Sequence, residues 1–362
     1  MSPLDLAAIR RTPKVLLHEH LDGGLRPATV IELARERRVT LPTDDPDALG
    51  EWFFRGADRG NLALYLEGFG TTIQCMQTRG ALHRVALEAI LDLHEDGVVY
   101  AELRFAPFFH TEGGLTLEEV MDAVLAGLRE GEERTGVKWG LIVCALRNFP
   151  PTSSLEMAEL AVAYRDRGAV AFDLAGDEHG HPPKRHLEAF QYCLRQCFPI
   201  TIHAGEAFGK ESIWQALQIC GAQRIGHCTR LTEDILRDDN GELRYGPLAD
   251  WIRDRRIPLE MCLSSNVHTG AVTRLDDHPF GLFLAQKFRV TINTDNRLMS
   301  KTTLSRELEI AVTRYGLDEA GLERLAVNAM KSAFIHYDAR CAVIYDRIKA
   351  GFRAIREGAR QP

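Results

Sequence analysis

What most constrains the fold of this chain is an alternation. Eight short, continuously apolar runs rich in β-branched residues recur along it, at residues 15–20, 98–105, 139–146, 170–175, 200–205, 224–228, 257–263 and 290–294. Helix-patterned segments separate them. Continuous apolarity is expected of strands covered on both faces, and parallel strands need helical crossovers between them. Eight strands with helical returns predict an α/β fold, a closed (β/α)8 TIM barrel in preference to an open sheet. The 362 residues exceed the usual domain size of about 100–200. With no internal repeat, low-complexity tract or long linker, one barrel domain over residues 1–362 is still the economical expectation.

The crossovers carry their own signals. Thr116 with Glu119 three residues on forms a capping box ahead of Val120, Val124, Leu125 and Leu128, and Gly131 or Gly136 can end that helix. Ser154 precedes a helical stretch at 155–167, with Gly168 as a stop. Residues 22–97 are too many for one crossover, so extra helices are expected between strands one and two. Within them Leu62, Tyr65, Leu66 and Phe69 fall at i, i+3, i+4 and i+7, an apolar helical face. That face either packs on the barrel or forms a lid lining a pocket mouth. Past the last strand, 303–315, 318–334 and 340–356 read as a helical C-terminal tail.

Composition narrows the class. With 45% hydrophobic and 26% charged residues the chain is an ordinary globular protein, which excludes disorder, collagen and small disulfide scaffolds. Its 44 basic against 51 acidic residues leave a net charge of -7 and no basic patch, so neither nucleic acid nor an anionic membrane is an expected partner. No apolar run approaches the ~18 residues of a membrane span, and MSPLDLAAIRRTPK lacks the apolar core of a signal peptide; a cytoplasmic protein is expected. The eight cysteines (75, 144, 193, 197, 220, 228, 262 and 341) show no metal or disulfide spacing and read as reduced, mostly buried small hydrophobes.

Residues that carry chemistry gather at the strand ends. His18 and His20 stand at i, i+2, so their imidazoles project to one side, as two ligands on one metal require. Taken alone, such a pair more often marks surface or satisfied core positions. His203 ends strand five in TIHAGE, His227 ends strand six in RIGHC, and Asp295 ends strand eight in TINTD. In a (β/α)8 barrel those ends form the C-terminal face where active sites lie. Buried His and Asp without partners would cost several kcal/mol, roughly, and a divalent metal removes that cost. Glu206 starts the loop after strand five and suits proton transfer beside a metal; it equally suits the start of a helix at 208–220, favoured by the macrodipole.

Together, LLHEHLDGGLRP, FDLAGDE, TIHAGE, RIGHC, SSN, TINTDN and VNAMKSAF resemble the adenosine deaminase family of metal-dependent amidohydrolases, over residues 14–336. The resemblance implies one metal ion per chain, usually Zn²⁺, on His18, His20, His203 and Asp295 with a water completing the site. It further implies that Glu206 protonates purine N1 and that His227 orients the attacking water and stabilises the alkoxide. Asp22 would hold the ribose 5′-hydroxyl, the Gly176 backbone would contact N3, and Leu62, Tyr65, Leu66 and Phe69 would form the lid against the ribose. The implied reaction is deamination of adenosine and 2′-deoxyadenosine, small purine nucleosides, to the inosine products and ammonia.

Two positions depart from the family pattern. Where TDDP is usual the chain reads Thr294-Asp295-Asn296-Arg297, so the expected partner of purine N7 is a neutral amide, which donates without first being protonated. Cys228 follows His227 where Gly or Ala is usual, and strand alternation turns its thiol away from the metal. The loop bearing His179, His181 and His186 holds Pro182 and Pro183 and is not expected to build a second metal site. The alternative substrates are a 5′-modified adenosine such as 6-aminodeoxyfutalosine, or adenine. A two-metal phosphotriesterase-like hydrolase would need a lysine where strand four reads Asp173-Leu174-Ala175-Gly176, and a purine-binding protein without catalysis would need neither Glu206 nor His227.

Overall fold

Each of the eight apolar runs becomes a strand. In the computed structural model, which describes residues 4–358, these are β1 (Lys14–His20), β2 (Val98–Phe105), β3 (Lys138–Leu146), β4 (Ala169–Ala175), β5 (Ile200–Ala204) and β6 (Arg224–His227), then, after a short antiparallel hairpin β7 (Ile235–Arg237) and β8 (Leu243–Tyr245), β9 (Pro258–Met261) and β10 (Arg289–Ile292). The outermost residues of the expected 1–362 unit, and the first residues of the segment read for a targeting signal, lie outside the described residues. The large sheet has the order β1-β2-β3-β4-β5-β6-β9-β10, all neighbours parallel. A bridge closes it: His20 N–H donates to Asp295 O (2.7 Å) and Asp295 N–H to His18 O (3.0 Å). The fold is a (β/α)8 TIM barrel, and the stitch that closes it runs through three of the residues expected to carry chemistry.

The local signals act as physical chemistry requires. Thr116 Oγ1 accepts from Glu119 N–H (3.2 Å) while Glu119 Oε2 accepts from Thr116 N–H (2.9 Å), and the helix runs over Leu117–Thr135 to Gly136 at φ 74°. Gly131 is therefore interior. Ser154 does not start its helix; Pro151 does, because its fixed φ suits the first helical position, and the helix Pro151–Ala163 leaves Ser154 buried against His186 (2.8 Å). Short helices Leu62–Tyr65 and Phe69–Cys75 lie among the extra elements between β1 and β2, and the tail forms helices from Leu304–Tyr315 to Ala350–Gly358. No helix among the described residues is long and apolar enough to cross a membrane.

Unusually for such a barrel, charge fills its interior. Arg104 of β2 donates to Asp173 of β4 (2.8 Å), Glu260 of β9 (2.9 Å) and the Leu17 carbonyl (2.7 Å). Below it Arg224 of β6 pairs with Glu260 and with Glu102 of β2, both at 2.6 Å. All five side chains are buried, and charges there are tolerated only as pairs. This network supports the histidines above it.

Candidate active site

β1 delivers His18 and His20 to the C-terminal mouth, β5 delivers His203, the end of β6 delivers His227, and the turn after β10 delivers Asp295. His227 and Asp295 hold φ of 62° and 60°, a left-handed conformation uncommon for residues with side chains and concentrated at functional sites. One ligand atom from each of His18, His203, His227 and Asp295 lies within 4.8 Å of the others. His20 joins them from the side: its Nε2 is 3.1 Å from His203 Nε2 and 3.5 Å from Asp295 Oδ1. Four histidines and one carboxylate thus converge, one imidazole more than the expected ligand set uses.

The charged layer beneath sets the protons on two of these rings. His18 Nδ1 lies 2.8 Å from Glu260 Oε2, and Arg104 and Arg224 outweigh burial to hold Glu260 well below the usual carboxylate range. An ionised carboxylate only accepts, so His18 carries a proton on Nδ1, which leaves Nε2, turned toward Asp295, as the nitrogen that can offer a lone pair to a cation seated between them. His203 Nδ1 meets Asp173 in the same way at 3.1 Å, which turns its Nε2, 3.1 Å from His20 Nε2, toward the site. His18 Nε2 is buried, 3.1 Å from Asp295 Oδ1, and has no hydrogen-bond partner. Ser265 Oγ donates to the other oxygen of Asp295 (2.6 Å). Inward lone pairs with carboxylates behind the rings suit a divalent cation of zinc's ligand preference.

Glu206 stands opposite. Its Oε2 is 3.5 Å from His227 Nε2, and the helix whose start was its alternative role begins only at Lys210, with Glu211 as the acid of its first turn. Burial first, then the charges of Asp295 and Glu178, push the Glu206 carboxyl well above its ordinary range, the direction that favours its protonated form. Burial likewise keeps His20 and His227 far below the ordinary histidine value. The loop is pinned by Glu178, whose carboxylate accepts the backbone N–H groups of Gly205, Glu206, Ala207 and Phe208 at 2.7–3.0 Å.

Above these groups opens a cavity of about 320 Å³. Leu62, Tyr65, Leu66 and Phe69 all line it, so the apolar stripe faces the cavity as a lid, and Asp22, Gly176 and Asn296 line it too. Asp22 Oδ1 is buried without a partner, 3.9 Å separating the other oxygen from His110 Nε2. A Cβ on Gly23 would collide with Asn296 Oδ1, so glycine there is what lets Asn296 reach its position. Arg297, the other departure in that turn, pairs with Glu19 (2.6 Å) and Asp92 (3.2 Å) and does not line the cavity. Cys228 is a buried core thiol, pushed up by burial, outside the ligand group. His179 is exposed and His186 is spent on Ser154 and the Arg147 carbonyl, and the strand-end cluster is the single such metal-ligand group among the described residues.

Sequence patterns alone assign no role to Asp173, Glu178, Glu260, Ser265 or Asn266. For Asp173 and Glu260 a signal exists: a carboxylate inside an apolar run expected to be covered on both faces.

A family model described as adenosine deaminase matches residues 13–350. The chain belongs to the adenosine deaminase family. It is 54% identical over 354 residues to adenosine deaminase 1 of Streptomyces coelicolor, covering 96% of this chain and 89% of that one. Against the adenosine deaminase of Mycobacteroides abscessus the identity is 53%, covering 97% and 98%. Among solved structures it resembles the adenine deaminase of Arthrobacter aurescens, with a TM-score of 0.83 at 27% identity, covering 94% of this chain and 99% of that one. It also resembles an Arabidopsis N6-mAMP deaminase, with a TM-score of 0.79 at 28% identity and coverage of 96% and 99%.

Proposed function

We propose that this chain is a zinc-dependent, cytoplasmic adenosine deaminase acting as one barrel domain, which converts adenosine and 2′-deoxyadenosine to inosine and 2′-deoxyinosine with release of ammonia. The observation that carries the reading is the cluster of inward-facing imidazole nitrogens and the Asp295 carboxylate, with buried Glu206 beside it on the wall of one small cavity. His18, His20, His203 and Asp295 would hold one Zn²⁺. Bound there, zinc supplies a Lewis acid that brings the pKa of a water to about 7.

The protein's own groups do the rest. Glu206 gives its proton to purine N1, which makes C6 electrophilic, and His227 orients the water that attacks C6. The C6–O bond forms as the water gives up its two protons, one restoring Glu206 and the other passing to the departing amine; the C6–N bond breaks, ammonia leaves, and the proton given by Glu206 stays on N1 of the product. Asn296 faces the purine N7, the Gly176 backbone approaches N3 with no side chain in the way, and the lid at Leu62, Tyr65, Leu66 and Phe69 covers the ribose. Asp22 favours a nucleoside over free adenine, since its buried, unpartnered oxygen asks for a hydroxyl donor.

The deciding assay follows loss of adenine absorbance with adenosine, deoxyadenosine, adenine, AMP and 6-aminodeoxyfutalosine, with and without chelator. Adenosine and deoxyadenosine turnover that chelator abolishes and Zn²⁺ restores is expected; turnover of adenine or 6-aminodeoxyfutalosine alone would refute the substrate assignment. Glu206→Gln should retain bound zinc by elemental analysis while kcat falls at least about a hundredfold.

A further inference from the structure

His227 is approached from behind by a chain of hydrogen bonds that the reaction above does not use. It starts at a group whose role is fixed, the backbone N–H of Phe280, which donates to His278 Nδ1 (3.1 Å). A ring nitrogen that accepts carries no proton, so His278 holds its proton on Nε2, and burial, which lowers the pKa of this ring to about 3, keeps it neutral. That Nε2–H lies 3.2 Å from the side-chain oxygen of Asn266 and donates to it. The Asn266 amide is thereby oriented, and its Nδ2 faces His227 Nδ1 at 2.9 Å as donor. His227 Nδ1 must therefore accept, which leaves the ring proton on Nε2, the nitrogen 3.5 Å from Glu206.

We propose that His278 and Asn266 are positioning residues that lock His227 as its Nε2–H tautomer, which makes it a hydrogen-bond donor to the attacking oxygen and removes it from the metal-ligand set. His18 and His203 have the reverse arrangement, since the carboxylates of Glu260 and Asp173 draw their protons to Nδ1. The partner behind each of these three rings thus decides what the ring does, because an acceptor makes it a ligand and a donor amide makes it an N–H donor. Asn266 is held firmly in this position. It is buried, its backbone N–H donates to Cys262 O (2.9 Å) and its carbonyl accepts from Val272 N–H (2.9 Å). His278 is buried as well, and it contributes no atom to the cavity.

The role assigned to His227 rests on the proposed function, but the tautomer does not, and it can be read without turnover. In zinc-loaded protein carrying ¹⁵N-labelled histidine rings, with the His227 signals assigned by their loss in His227→Gln, His227 should show its proton on Nε2. A native ring protonated on Nδ1 overturns the relay whatever the substrate is. Asn266→Asp replaces the donor by an acceptor of the same shape and should bring a proton to His227 Nδ1, lowering kcat about tenfold or more while KM for adenosine stays within about twofold. His278→Phe should lower kcat several-fold, and His278→Gln, which keeps an N–H to offer Asn266, should restore it. An Asn266→Asp variant with both the His227 spectrum and kcat of the native enzyme would also refute the proposal.

Discussion

Asn296 and Gly23 form a pair in which neither makes sense alone. The asparagine oxygen is buried without a partner and occupies the space that any side chain at Gly23 would need, so the amide is held at the cavity wall by the absence of a Cβ opposite. If the amide contacts the purine, Asn296→Leu keeps the volume and deletes the hydrogen bond. Leaving one buried ring nitrogen unpaired costs about 1–3 kcal/mol, so kcat/KM for adenosine should fall about fivefold or more. Steady-state kinetics with an unchanged value would remove Asn296 from substrate recognition. Glu178 poses a different test, because it never reaches the cavity. Four backbone N–H groups converge on its carboxylate, and Glu178→Gln would turn an N–H₂ toward at least one of them, loosening the loop that carries Glu206. The expected result is a several-fold lower kcat with zinc content unchanged; a kcat equal to the native one would show the loop holds itself.

At the scale of elements, the lid shows what periodicity can and cannot convey. The i, i+3, i+4, i+7 spacing of Leu62, Tyr65, Leu66 and Phe69 announces one apolar face, but whether that face meets the barrel or a cavity depends on where the elements dock, and no local pattern encodes docking. The strands are legible for the opposite reason: burial on both faces leaves continuous apolar runs, and all eight appear within a few residues of their expected bounds. The hairpin of β7 and β8 leaves no such run, since its three-residue strands have exposed positions, and the sequence pattern misses it. At the site, the histidines are visible because they end strands, whereas the carboxylates and amides that set their tautomers come from remote strands and the helix Leu263–His268, and only the closed barrel brings them behind the rings. Phe69, edge-on to His20 with centroids 6.3 Å apart, gives the lid a test. Phe69→Ala should raise KM for adenosine about tenfold and leave kcat within about twofold, as loss of contacts made equally in ground and transition state requires. A fall in kcat at constant KM would mean the lid acts on the reacting atoms and not on the bound nucleoside.

Taken as a whole, the molecule separates its two ends. Charge at the C-terminal mouth has a chemical use, while at the opposite end β1 begins with Lys14, only 2% exposed, whose ammonium donates to the Arg10 (3.0 Å) and Thr12 (2.8 Å) carbonyls. Burial lowers its pKa from 10.5 to about 7, with Asp96 only partly opposing. Between those values the unfolded chain holds the proton and the folded chain does not, so unfolding takes up a proton and stability rises with pH. The contribution is complete above the unfolded value and is lost as pH falls through the folded one, roughly 3–5 kcal/mol in all. Other groups titrate in the same window, so the quantity to follow is a difference. Unfolding free energies from urea titrations at pH 7, 8 and 9 should show the native protein gaining on Lys14→Met by about 1 kcal/mol per pH unit. If the two curves run parallel, Lys14 keeps its proton in the fold across this range, as it would if Asp96 matched or outweighed burial.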